Sequence, residues 1–226
     1  GFSLRETTRR LARLGLAPAD LDAILVTHEH SDHAAGVGTL SRGHGIPVYA
    51  SHGTAASGRL GECAVLERFN AGEVFTVGTV TVHSVAVPHD AREPCQYRLA
   101  SADRELGILT DLGSVTPHVV NAYRGCGALV LEFNHDSAML AAGDYPPALK
   151  RRVGGDWGHL NNRQASELLA ALDGPALRHL VIAHMSEKNN SPGAVREVLA
   201  AEHPAWLERA HWACQGEGFG WLALDG

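Results

Sequence analysis

The sequence predicts an α/β fold. Short apolar runs of strand length alternate with helical patterns along the whole chain. No repeat, low-complexity tract or Pro/Gly/Ser linker interrupts the alternation. Several of the runs end on a histidine or an acid where a turn residue would be ordinary. Interleaving of this kind builds layers of sheet and helix around one core, so residues 1–226 are expected to form a single domain.

Each element follows from local pattern. Ser3-Leu4-Arg5-Glu6 has the form of a capping box, and Leu4, Leu11 and Leu14 keep an apolar stripe as far as Gly15, so a helix opens the chain. Ala17-Pro18-Ala19-Asp20 reads as a turn, and the run at 23–26 as a buried strand that ends at His28. Residues 32–40 read as one helix and 46–50 as the next strand, a β-α-β unit. From Glu73 to Asp111 the pattern changes to alternating β-branched segments, predicting strands at 73–76, 79–87, 95–100 and 106–110. Helical patterns resume at 115–122, 148–153, 163–172 and 192–201. Strands are expected at 128–132 and 179–183, with two more around 211–214 and 219–224.

Composition narrows the function. With 19 Lys+Arg against 25 Asp+Glu the formal charge is −6, so no global basic field gathers a polyanion and any nucleic-acid contact must be local. The four cysteines, Cys63, Cys95, Cys126 and Cys214, form no C-x-x-C pair and are expected to be buried thiols in a reducing cytoplasm. No run approaches the roughly 20 apolar residues of a membrane span, so a cytoplasmic protein without membrane contact is expected. The unusual number is 14 histidines, several of them clustered in short motifs at turn-like positions.

His28-x-His30-x-Asp32-His33 lies where a strand ends and a helix begins. Alternate residues on extended chain face the same way, so His28 and His30 can hold one ion while Asp32 and His33 hold a second. Further candidates follow other strands: His89 after 85–88, Asp111 after 108–110 and His184 after 180–183. His28, His30 and His89 are assigned to one metal, Asp32, His33 and His184 to the other, and Asp111 to both. Imidazole and carboxylate suit zinc, manganese or iron, and such a pair can activate a bridging water as nucleophile. A Ser or Cys nucleophile is not required: no Gly-x-Ser-x-Gly elbow is present and no cysteine lies in these motifs.

Thr27-His28-x-His30-x-Asp32-His33, followed in order by His89, Asp111 and His184, resembles the signature of the metallo-β-lactamase superfamily over nearly the whole chain. Glu132-Phe133-Asn134-His135-Asp136, Gly158-His159-Leu160-Asn161-Asn162 and the stretch from Ala183 to Pro192 resemble blocks of its YycJ-type (WalJ-type) subgroup. The resemblance implies a four-layer αβ/βα sandwich and exonucleolytic action on DNA, with nucleic acid as substrate and two divalent ions as cofactors. The family normally begins with two strands and an Asp-x-Gly turn, whereas this chain starts at what resembles that turn's glycine, Gly1.

The expected reaction is phosphodiester hydrolysis, with Asp32, His135 and His159 as catalytic residues and His135 or His159 assisting the leaving group. A capping or structural role fits His135 and His159 equally. Lys150, Arg151 and Arg152 form the densest basic cluster, which suits either a phosphate backbone or a solvated helix face. The alternative function is a small-molecule hydrolase acting on a thioester, lactone or cyclic phosphodiester with the same metal centre.

Overall fold

The computed structural model describes residues 1–224. The chain divides into two compact units, one comprising Gly1–Ala86 with Asp90–Tyr97, the other Val87–His89 with the chain from Arg98 on.

In the first unit, α1 (Leu4–Arg13) begins at Ser3, whose hydroxyl accepts the Glu6 N–H at 3.3 Å. A 3-10 turn (Pro18–Asp20) leads into β1 (Ile24–Val26). The helix expected at 32–40 is instead two, α2 (Ser31–Ala34) and α3 (Val37–His44). Gly36 separates them in the left-handed region at φ 80°, and a Cβ there would lie 2.1 Å from the Phe2 carbonyl oxygen. This close approach of two backbone segments is what breaks the helix, and only glycine allows it. β2 (Pro47–Ser51) pairs in parallel with β1, Leu25 opposite Tyr49. Then come α4 (His52–Ala56), capped by the Ser51 hydroxyl, and β3 (Val65–Phe69), parallel to β2. β4 (Val74–Val77) and β5 (Val80–Ala86) form an antiparallel hairpin. Val26, Val37, Val48, Ala50 and Leu60 make the core beneath the three-stranded sheet. The first residues of β6 (Cys95–Ser101) clamp the end of β1: the Cys95 N–H reaches the Thr27 carbonyl at 3.0 Å and the Tyr97 hydroxyl the Val26 carbonyl at 2.7 Å.

The second unit runs β7 (Arg104–Leu109), α5 (Pro117–Tyr123), β8 (Ala128–Glu132), α6 (Ser137–Ala142), α7 (Pro147–Val153), α8 (Asn162–Leu172), β9 (His179–Ala183), α9 (Pro192–Glu202), α10 (Pro204–Arg209) and β10 (His211–Trp212). The strands pair in parallel in the order β10-β9-β8-β7, with Ile108 opposite Val130 and Val130 opposite Val181. Parallel strands covered on both faces read as continuous apolar runs. Accordingly Leu109, Leu131, Leu180 and Ile182 are fully buried, each contributing roughly 1.5–3 kcal/mol. Because these strands run the same way, the residues that follow β7, β8 and β9 emerge at one edge of the sheet.

Two readings from sequence are corrected. Residues 219–224 form no strand: Gly218 and Gly220 flank Phe219, and Trp221 is 74% exposed, so no burial supports one. Conversely α4, β3, α6 and α10 are elements that the sequence pattern does not announce. β3 has Val65, Glu67 and Arg68 exposed, which erases the alternation that marks a half-buried strand.

Candidate metal centre

In the first unit the chain leaves β1 extended and turns into α2 at Ser31, with His30 at the N-cap position (φ −61°, ψ 149°). His28 and His30, two apart on extended backbone, therefore turn to the same side. His28 Nε2 lies 3.0 Å from His30 Nδ1. Two nitrogens on one tetrahedral zinc ion are about 3.3 Å apart, so this pair already stands at nearly the separation that a shared ion imposes. His33, inside α2, folds back until its ring centroid is 4.2 Å from that of His28. The Thr27 hydroxyl sits 3.0 Å from His28 Nδ1 and 3.2 Å from His33 Nδ1, fixing both rings. Asp32 projects outward, 67% exposed, with Oδ2 3.4 Å from His33 Nε2. The next stretch of the same unit supports the cluster from behind, the Asp90 carbonyl 3.2 Å from His30 Nε2 and the Glu29 carboxylate accepting the Arg92 N–H at 2.9 Å.

The second unit gathers His89, Asp111, His159 and His184. His89 Nδ1 donates to the Gly158 carbonyl at 3.0 Å, so its Nε2 carries the lone pair and stands 3.8 Å from Asp111 Oδ1. His184 Nε2 is likewise 3.8 Å from Asp111 Oδ1. His159 Nδ1 is 3.9 Å from the same oxygen, and the His159 ring centroid lies 5.3 Å from that of His89 and 5.4 Å from that of His184. Asp111 and His184 both have left-handed backbones, φ 53° and φ 54°. A non-glycine residue held there costs on the order of 1–3 kcal/mol, which persists only where surrounding bonds over-determine it.

Those bonds come from Glu132, the last residue of β8, which is fully buried. Its Oε2 accepts the Asp111 N–H at 3.0 Å and its Oε1 accepts the N–H groups of Leu112 at 2.9 Å and Leu160 at 3.0 Å. His184 Nδ1 reaches Oε2 at 3.0 Å and His159 Nδ1 at 3.3 Å. Burial alone would raise the Glu132 pKa, but the hydrogen bonds from His159 and His184 outweigh it and hold the carboxyl well below the usual range. Glu132, His159 and His184 stand close enough for a metal triad. A carboxylate offers about four lone-pair sites, however, and the five donors around Glu132 fill them. Glu132 is thus an orienting group that turns Nε2 of both histidines outward, the usual partner of a metal-binding imidazole.

His135 lies apart from this hydrogen-bonded set. It is 2% exposed, its carbonyl accepts the Asn162 N–H at 2.9 Å, and its Nδ1 has no hydrogen-bond partner. The asparagines of the sequence blocks are structural supports. Asn134 Nδ2 donates to the His184 carbonyl at 3.0 Å, Asn190 Nδ2 to the Phe133 carbonyl at 2.7 Å, and Asn162 and Asn190 pair with each other.

The donor sets in each unit, imidazole nitrogen with carboxylate oxygen at near-ligand separations, fit a borderline divalent cation. Residues 1–185 match the Beta-lactamase superfamily domain. The chain belongs to the metallo-β-lactamase superfamily. Exodeoxyribonuclease YycJ of Bacillus anthracis is 38% identical over 194 residues, 84% of this chain and 74% of that protein. Exodeoxyribonuclease WalJ of Streptococcus pneumoniae is 36% identical over 196 residues, 84% and 73% of the two chains. The metallo-β-lactamase fold protein YhfI from Bacillus subtilis superposes with a TM-score of 0.69 over 91% of this chain and 79% of its own, at 18% identity. Fold class and family are therefore those expected: an α/β sandwich of the YycJ type, a metal-dependent hydrolase whose His/Asp clusters suit a divalent metal. No helix among the described residues is long and apolar enough to cross a membrane.

Proposed function

We propose that this metallo-β-lactamase is an exonuclease that hydrolyses phosphodiester bonds at DNA ends. His28, His30 and His89 would hold one divalent ion, Asp32, His33 and His184 a second, with Asp111 shared, and zinc, manganese or iron each suit the set. When bound, the ions supply a water nucleophile active at neutral pH and offset the charge that builds on phosphorus. Thr27 keeps His28 and His33 in register by their Nδ1 atoms. Glu132 and the Gly158 carbonyl do the same for His184 and His89. These supports leave little reorganisation for the reaction itself.

One observation carries the assignment of a catalytic proton: Glu132 engages His159 at Nδ1, while that side chain keeps 21% of its surface open. With Nδ1–H directed at Glu132, Nε2 of the imidazolium form is the atom that can hand a proton to the leaving oxygen or donate to a phosphate oxygen. That the substrate is DNA is supported by the two exodeoxyribonuclease relatives. Lys150, Arg151 and Arg152, in the last turn of α7, give the acidic chain a local basic surface for the strand.

Purified protein loaded in turn with zinc, manganese and iron is expected to release mononucleotides from end-labelled single- or double-stranded DNA. His159→Ala should keep the metal content of the wild type and lose most of kcat, roughly 10²-fold or more, with KM little changed. Absence of mononucleotides with every metal, alongside cleavage of a thioester or lactone, would establish a small-molecule hydrolase instead. An unchanged kcat in His159→Ala would make that histidine structural.

A further inference from the structure

Within the second unit lies a pocket of about 490 Å3 whose walls include His135, Ser137, Leu140, Lys150, Arg151 and Asn161. Two of these residues are tethered to the Glu132 cluster: His135 follows Glu132 by three residues and Asn161 follows His159 by two. Fully extended chain covers at most about 11 Å and 7 Å over those steps. The pocket therefore opens within roughly one nucleotide's length of the site.

Its chemistry is unlike the rest of the chain. In a protein of net charge −6 the pocket has two cationic side chains and, among the described residues, no carboxylate on its walls. Lys150 is held in place by donating to the Ala141 carbonyl at 2.6 Å, one of its three donors. The Asn161 Oδ1 already caps α8 by accepting the Gln164 N–H at 2.9 Å, so the amide group's NH2 is what it has to offer. Leu140, 6% exposed, supplies an apolar wall. His135 is almost fully buried, it lines the pocket, and its Nδ1 has no hydrogen-bond partner. A buried polar atom left that way is destabilising, and a ligand's hydrogen bond removes the cost. Burial lowers the pKa of His135, so the ring is neutral near pH 7 and offers one N–H and one lone pair.

A phosphate alone would leave the apolar wall and most of the volume unused, and an apolar ligand would leave two cations and an imidazole unanswered. We propose that this pocket binds a deoxynucleoside monophosphate, as the phosphate-bearing terminal nucleotide of a strand or as the freed product, its phosphate facing Lys150 and Arg151. The proposal rests on the nuclease reading above. It explains why cleavage would begin at an end: a terminal phosphomonoester carries more charge than an internal diester and so answers both Lys150 and Arg151.

The test uses metal-loaded protein and isothermal titration with 5′- and 3′-deoxynucleoside monophosphates, a deoxynucleoside and inorganic phosphate. One of the two monophosphates is expected to bind at least about tenfold more tightly than the nucleoside or phosphate. Arg151 and Lys150 lie on the protein's outer surface or at its margin, so Arg151→Glu and Lys150→Ala should fold normally and weaken that binding about tenfold or more. His135→Phe tests the buried partner, and the two cation variants stand should it fail to fold. KM on DNA with and without the matching terminal phosphate separates the two sources. A KM rise in Arg151→Glu confined to phosphorylated ends assigns the pocket to the strand terminus, and an effect on free nucleotide alone assigns it to the product. Wild-type affinity in both cation variants would overturn the proposal even if mononucleotides are released from DNA. Arg151-dependent nucleotide binding without DNA cleavage would overturn the nuclease reading and leave the pocket standing.

Discussion

Glu132→Ala is expected to destabilise the protein by about 3 kcal/mol or more, because it strands several buried donors at once. The N–H groups of Asp111, Leu112 and Leu160 all end on this one carboxylate, and so do Nδ1 of His159 and of His184. The site is 0% exposed, so little water can take the place of the lost oxygens. Loss of the first of these bonds also removes a support for the left-handed backbone of Asp111, whose strain then has less to oppose it. Glu132→Gln keeps the volume but must turn an NH2 group toward donors, since both carboxylate oxygens accept, and it should fall between the wild type and Ala. Urea unfolding gives the stability, and metal analysis of the folded fraction gives the second readout. Both variants should bind less metal, since His184 is no longer oriented, by about 10–100-fold in affinity. Wild-type stability and metal content in Glu132→Ala would show that the carboxylate organises nothing.

Glu132 also marks the limit of what could be read along the chain. The motif from Thr27 to His33 was legible because its histidines lie close in sequence, and a period of two on extended chain is enough to bring His28 and His30 together. β8 and β9 were legible to the residue because strands buried on both faces are written as unbroken apolar runs. The acid that closes β8 is visible as the lone charge after Ala-Leu-Val-Leu, yet its role depends on partners 21 positions earlier and 52 later that meet only when parallel strands end at one edge. The left-handed conformations of Asp111 and His184 leave only a weak mark in residue type: neither position uses glycine, although Asp and His adopt that region more readily than most side chains. The break at Gly36 is likewise tertiary, set by the passage of Phe2 against it. Local chemistry was therefore readable, and what depends on convergence was not.

His30→Ala and Asp32→Ala are expected to abolish turnover while leaving stability in the metal-free state within about 0.5 kcal/mol of the wild type. The contrast with Glu132 follows from exposure: the His30 side chain keeps 27% of its surface and Asp32 67%, so neither supports a core. Neither caps its helix, since the His30 side chain makes no capping bond to α2. What these groups do supply is ligand atoms, and their removal should appear as missing metal equivalents in the purified variants. Metal added back to chelated wild-type protein should raise the melting temperature, since an ion that binds only the folded state stabilises it by mass action. In His30→Ala the rise should be smaller, because His28 is left without the nitrogen 3.0 Å away that would share its ion. Full activity in either variant, with unchanged metal content, would place the chemistry elsewhere. Loss of activity together with loss of the fold would return the motif to structure, because a residue that serves only as a ligand has no other reason to be needed once the ion is gone.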